Sequence, residues 1–310
     1  MENPLTDPTN LPDPRNVPEL FQGQPSGDVA EIPRPTVLLP RSAHSEGGGS
    51  EPAAEPAADE SAAAGLDQCP PAVDVLAVGA HPDDVEFACG GTLAKLSRQG
   101  YRVGIIDLTD GQPTPFCDDV TIRLTESVEA AQILGVDVRV QLNLPNRSLM
   151  DNVVARIALA RQFRFWRPRI VLGFLERTPM HSPDHWQAGQ ITDAAVFYSR
   201  LCRWEAYFPG LPIHAIRQQL YFQMSWAPAI PVSGLFVDVG DTLETKLASV
   251  AAYATQFDHK PMMIERIRAA AIAQGAATGC DAAESFLVAQ PFAVDDLVET
   301  VLGRPPLQTD

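Results

Sequence analysis

The sequence predicts an α/β fold built on a doubly wound, mostly parallel sheet with helices on both faces. Three observations carry this reading. Short apolar runs rich in β-branched residues recur, over 75–78, 101–108 and 170–175, as strands buried on both faces do. Segments of helical apolar spacing separate them, long enough for right-handed parallel crossovers. Turns dense in ionisable residues leave the carboxyl ends of two runs, the edge at which open parallel sheets place their sites.

The first seventy residues stand apart. They hold no Trp or Tyr and one Phe (Phe21), and their twelve acidic and three basic side chains carry −9 of the formal charge of −16. A segment so poor in apolar residues cannot offset its chain entropy by burial, so residues 1–70 are expected to be a disordered acidic tail. Gly47-Gly48-Gly49-Ser50 and the Glu-Pro-Ala-Ala repeat from Glu51 read as linker. Residues 71–310 suit one α/β domain with a substantial core.

No basic stretch followed by an apolar one opens the chain, and nowhere do eighteen apolar residues run together. Neither a secretory leader nor a membrane span is expected. Five cysteines (Cys69, Cys89, Cys117, Cys202, Cys280) without paired spacing read as free thiols in a reducing, cytoplasmic compartment. The part after residue 70 is also acidic and has no basic patch, which argues against a nucleic-acid partner.

The elements follow in order. The run 75–78 ends at Gly79, and a helix over 92–98 stops at Gly100, a residue suited to a helix C-terminus. A second buried strand covers 101–108, with Thr109-Asp110-Gly111 leaving its end. The helix over 121–134 carries Ile122, Val128, Ala131, Ile133 and Leu134 on one stripe and stops at Gly135. Over 137–144 apolar and polar residues alternate, as in a half-exposed strand. A helix over 152–165 ends before Arg167-Pro168, because proline disfavours helix at the residue before it. The strand over 170–175 and a helix over 186–200 complete four strand–helix alternations, a Rossmann-like arrangement. In the less regular remainder, 221–226, 235–239 and 284–288 read as strands, and 242–255 and 262–273 as helices.

The chemistry concentrates in two turns. Immediately after the first strand come His81, Pro82, Asp83 and Asp84, with Glu86 two further on; after the strand over 170–175 comes Ser182-Pro183-Asp184-His185. If the chain bends at Pro82, His81 and Asp84 face one point. His185 would then make a set of two imidazoles and one carboxylate, which leaves a position open for water, as catalytic zinc sites do. Such an ion lowers the pKa of its bound water to about 7 and polarises a carbonyl oxygen. Asp83, beside a ligand, would be left to act as general base. Asp184 could orient a ligand histidine through a ring nitrogen, or cap the following helix. Alone, His-Pro-Asp-Asp reads equally as a solvated turn. Glu86 reads as an acceptor behind the site or as a helix-start carboxylate. A pyrophosphate site is disfavoured, since the turn has carboxylates and no G-x-G-x-x-G. Cys89, His214, His259, Trp166, Trp204 and Trp226 read as core or surface residues, and Trp186 as a residue able to line a pocket.

Here the chain resembles the LmbE-like or PIG-L-type zinc-dependent de-N-acetylases of N-acetylglucosamine conjugates. Gly79-Ala80-His81-Pro82-Asp83-Asp84-Val85-Glu86, with Gly90-Gly91-Thr92, is similar to their first motif. Ser182-Pro183-Asp184-His185 is similar to their His-Pro-Asp-His motif, and Arg123, Glu126, Glu129-Ala130-Ala131 and Leu134-Gly135 to their arginine-bearing helix. Tyr253, Gln256-Phe257 and Ala283-Glu284-Ser285-Phe286 resemble the tail of the bacillithiol-biosynthesis branch, which deacetylates an N-acetylglucosaminyl malate. The resemblance spans residues 73–290. It implies a Zn2+ site (or Fe2+, Co2+ or Ni2+) on His81, Asp84 and His185, with Asp83 as base and Arg123 on a small-molecule glycoside substrate. Arg123 alone reads as well as a surface helix arginine. One departure stands out. The family's histidine three before the last ligand, which helps stabilise the oxyanion, falls on Ser182, and His181 sits one position earlier. Either His181 takes that role through a shifted turn, or another group fills it, or the role is weakened. The chain is thus expected to be a cytoplasmic hydrolase, or a metal- and sugar-binding homologue with reduced turnover, and room is left for a homo-oligomer.

Overall fold

A computed structural model of the chain describes residues 32–40, 69–175, 177, 181–224, 234–295 and 300. The chain enters at β1 (Thr36–Pro40). It then alternates β2 (Val75–Gly79), α1 (Asp84–Arg98), β3 (Val103–Thr109), α2 (Val120–Leu134), β4 (Val138–Leu144), α3 (Val153–Trp166), β5 (Ile170–Phe174) and α4 (Pro183–Tyr198). After a 3-10 turn at Glu205–Tyr207 come β6 (Gln218–Phe222), β7 (Leu235–Asp238), α5 (Leu243–Ala251), α6 (Ala254–Phe257), α7 (Met263–Thr278) and β8 (Ala283–Val288).

The strands form one sheet in the order β1-β4-β3-β2-β5-β6-β8-β7. The five from β4 to β6 are parallel. At the two edges β1 runs antiparallel to β4, and β8 antiparallel to both β6 and β7. The chain visits β2, β3 and β4 in one direction and then returns to lay β5 and β6 on the other side of β2. This reversal puts α1 and α2 on one face, where α5 and α7 join them, and packs α3 with α4 on the other. The loops leaving β2 and β5 therefore diverge at adjacent strand ends. Val75 to Gly79 are all buried, with Leu76, Ala77 and Val78 fully so. Each such leucine or valine contributes about 1.5–3 kcal/mol over an exposed one.

The structure corrects several expectations. Residues 1–70 are not uniformly without structure: β1 lies among them, because Thr36-Val37-Leu38-Leu39 is a β-favouring run that pairs with β4. Residues 1–31 and 41–68 lie outside the described residues. β4 is buried except at Asn143, not half-exposed; its polar members Arg139 and Gln141 are themselves buried. The strand expected over 221–226 lies at 218–222, and Trp226 is outside the described residues. The helix expected over 242–255 divides into α5 and α6.

The helix expected to start at Thr92 begins at Asp84, and it is broken at Cys89, whose φ of −137° and ψ of 23° leave the helical region. The break frees the amides of Gly91 and Thr92, and the carboxylate of Glu284 in β8 receives them at 3.0 and 2.7 Å. Lys246 Nζ of α5 donates to Glu284 Oε1 at 2.6 Å and to Ala88 O at 3.2 Å. A side chain at Gly91 would place its Cβ 3.0 Å from Val239 Cβ and 3.1 Å from Glu284 Oε1, so this close approach requires glycine.

Candidate metal centre and active site

The turn after β2 folds onto Asp84. Asp84 Oδ2 accepts the amides of Ala80 at 3.0 Å and His81 at 2.8 Å, which closes the turn that Pro82 opens. His81 Nδ1 lies 3.3 Å from the same oxygen, and His185 Nε2, from the first turn of α4, lies 3.2 Å from Asp84 Oδ1. His81, Asp84 and His185 each offer a ligand atom within 4.8 Å of the others. Ligands at 2.0–2.1 Å around a tetrahedral ion stand roughly 3.3 Å apart. The donor set and its spacing fit a divalent cation.

The supporting contacts are equally specific. His81 Nε2 is 3.3 Å from Asp184 Oδ2, which also accepts the amide of Arg147 at 2.7 Å. Asp184 thus holds the His81 ring, and the cap of α4 is Ser182, whose hydroxyl accepts the Asp184 amide. Phe174, the last residue of β5, stacks on the His185 ring at 4.9 Å and 13°. Asp83 sits at φ 112°, a left-handed conformation that strains a residue with a Cβ and persists where surrounding structure dictates it.

Charge is balanced toward a cation. Burial opposes an imidazolium at His81, but Asp84, Asp184 and Asp83 outweigh it and raise its pKa to about 10. Burial also works against the Asp84 carboxylate, yet His185 and His81 hold it below the usual carboxylate range. The same carboxylates that favour positive charge on His81 would favour a divalent ion, whose binding would need the ring neutral. Burial pushes Asp83 up to about 6 against the opposing pull of Arg123.

Arg123 is not a surface arginine. It is 2% exposed, its Nη2 donating to Pro82 O at 2.5 Å and to Asp83 Oδ2 at 3.1 Å. Its Nε and Nη1 are buried and make no hydrogen bond among the described residues. Gly111, at φ +72°, makes room for the guanidinium: a Cβ there would stand 3.3 Å from Nε and Nη2.

These residues open onto a cleft of about 300 Å3. His81, Asp83, Asp84, Arg123 and His185 line it, as sequence reasoning places them; so does Ser182, whereas His181 is exposed and does not. Trp186 does not line it either, and is 37% exposed. Glu86 stands in the first turn of α1, as the helix-start reading expects, but it is fully buried and accepts from Arg139 and Tyr253. Sequence reasoning missed Asn146 and Arg147 after β4, and Lys260 and Met263, which line the cleft together with Gln256 and Phe257 of the tail motif. The rule applied to the ends of β2 and β5 finds the first two when extended to the end of β4. His214 is structural, its ring nitrogen 2.6 Å from Pro168 O, and His259 packs against exposed Phe116.

Comparison with known proteins agrees with this geometry. The family model described as GlcNAc-PI de-N-acetylase, PIG-L, matches residues 76–196. A diacetylchitobiose deacetylase of Thermococcus kodakarensis is 32% identical over 192 residues, which cover 59% of this chain and 70% of that protein. A conserved protein of Thermus thermophilus superposes with a TM-score of 0.62 at 32% identity, covering 72% of this chain and 97% of the other. The N,N'-diacetylchitobiose deacetylase of Pyrococcus horikoshii gives a TM-score of 0.61 at 27% identity, covering 70% of this chain and 84% of that one. The bacillithiol branch is not singled out by these matches. With the turns that carry His81, Asp84 and His185 inside the matched span, the chain belongs to the PIG-L, LmbE-like deacetylase family.

Proposed function

We propose that the protein is a metal-dependent hydrolase that removes the N-acetyl group from an N-acetylglucosamine conjugate, a small-molecule glycoside. The convergence of His81, Asp84 and His185 with Asp83 beside them carries this reading. The diacetylchitobiose deacetylases among its relatives supply the substrate class. When bound, a divalent cation, zinc foremost, supplies a Lewis acid for the amide carbonyl and an acidified water.

The chain's own residues do the rest. His81, Asp84 and His185 hold the ion, and Asp184 fixes the His81 ring so that Nδ1 stays turned to the Asp84 side. Asp83 takes the proton from the attacking water and, once protonated, returns it to the leaving amine. Its strained backbone and its contact with Arg123 Nη2 hold that carboxylate in the cleft. Arg123, in the lining of the cleft, places its positive charge beside the substrate. The five free cysteines fit a reducing compartment such as the cytoplasm, and no helix among the described residues is long and apolar enough to cross a membrane.

A second reading, binding with reduced turnover, is favoured by one observation. Ser182 lines the cleft where the family motif has a histidine, and His181 is exposed outside it. Acetate release from N-acetylglucosaminyl malate, diacetylchitobiose and simple N-acetylglucosaminides by metal-loaded protein decides between them. Release abolished by Asp83→Ala supports the hydrolase. Ligand binding with no release supports the second reading. No binding and no release contradict both.

A further inference from the structure

Tyr253 lies outside the matched span, between α5 and α6, and is completely buried. Two contacts fix it, one of them to a residue of the cleft. Its hydroxyl donates to Glu86 Oε1 at 2.8 Å, and its ring faces the Arg123 guanidinium, whose carbon stands 5.4 Å from the ring centroid. The hydroxyl's anchor is itself fixed. Arg139 Nη1 reaches Glu86 Oε1 at 2.5 Å, while Arg139 Nε and Nη2 grip the two oxygens of Asp107 at 2.8 and 2.9 Å. The tyrosine ring is thereby tied through fully buried side chains to β4 and β3.

Arg123 needs such a support. Among the described residues its hydrogen bonds run through Nη2 alone, to Pro82 O and Asp83 Oδ2, so the edge that carries Nε and Nη1 is held by no hydrogen bond. Burial of a cation with two unbonded nitrogens is costly, and an aromatic face offsets part of that cost. We propose that Tyr253 is a positioning residue for Arg123: the ring sets the guanidinium's plane, and the tether through Glu86 sets the ring. The proposal rests on the reading of Arg123 as a substrate-binding group.

A double-mutant cycle on zinc-loaded, full-length protein tests it, with Tyr253→Leu and Arg123→Ala singly and together, and Tyr253→Phe beside them. Each is measured for kcat/KM on an N-acetylglucosamine conjugate, Kd for N-acetylglucosamine, zinc content and melting temperature. Tyr253→Leu is expected to lower kcat/KM and weaken binding by about 2- to 30-fold. The same substitution is expected to do nothing further once Arg123 is alanine. Tyr253→Phe, which keeps the ring but loses the tether, is expected to melt lower and to fall between the parent and Tyr253→Leu in Kd. Zinc content is expected to hold throughout. Additive effects overturn the proposal, and so does a Tyr253→Leu protein that binds like the parent or loses its zinc. If the parent hydrolyses conjugates and coupling is absent, this inference alone fails. If the parent hydrolyses nothing, the hydrolase reading fails and the cycle on Kd still decides the role of Tyr253.

Discussion

Replacing Arg123 by alanine should move the acid limb of the pH–rate profile upward. Asp83 must be ionised to act as base, and burial raises it to about 6 even with Arg123 Nη2 3.1 Å from its Oδ2. The sign follows from that contact. The guanidinium favours the carboxylate, so removing it raises the pKa further, and the base is then lost at a higher pH. An opposite charge at this distance shifts a carboxylate by about 1–3 units. A bound cation pulls in the same direction as Arg123, so the parent's limb should fall at or below about pH 6, and the variant's about 1–3 units higher. The assay is kcat/KM for one conjugate from about pH 4.5 to 9, with metal content followed at each pH, because acid competes with a cation for such ligands. Arg123→Lys restores the charge and should return most of the shift. Limbs at one pH in all three proteins, with metal retained, would refute the assignment of Asp83 as the base beside Arg123.

Three further outcomes follow from the same contacts. Asp83→Asn should lower kcat by about 10²–10⁴ while leaving metal content unchanged; loss of metal instead would make Asp83 a ligand. Glu284→Ala leaves the Lys246 ammonium buried and two α1 amides unbonded, which should cost about 3–5 kcal/mol and, in a domain this size, roughly 6–20 °C in melting temperature. The pair Glu284→Leu with Lys246→Met should recover much of it, and a single variant that melts with the parent would contradict the role given to the break in α1. Removing residues 1–31 should leave the melting temperature unchanged, whereas removing 1–40 takes away β1 and should lower it; equal curves would mean that β1 adds nothing to the sheet.

What can be read from the sequence is what neighbours along the chain determine. The run before Gly79 and the turn His81-Pro82-Asp83-Asp84 lie close together in the chain, so strand, bend and facing ligands can be inferred together, and the turn at His185 by the same rule. Arg139 shows where that reasoning stops. Its place in an alternating strand reads as a solvent-facing position, yet it is fully buried, because Asp107 and Glu86 come to it from 32 and 53 residues away. The break in α1 is equally invisible locally, since the carboxylate that receives the freed amides lies 192 and 193 residues on. Arg123 reads equally as surface or site because its partners, Pro82 and Asp83, lie on another element. Long-range polar pairing, not propensity, is what the sequence conceals.

That two loops leaving adjacent strands hold one divalent ion is tested most directly by anomalous diffraction from a zinc-soaked crystal. The expected result is a single strong peak at about 2.0–2.1 Å from a nitrogen of His81, an oxygen of Asp84 and a nitrogen of His185, with Asp83 close by but not bound. A peak held by other side chains, or none at this position while zinc is present in the crystal, would contradict it.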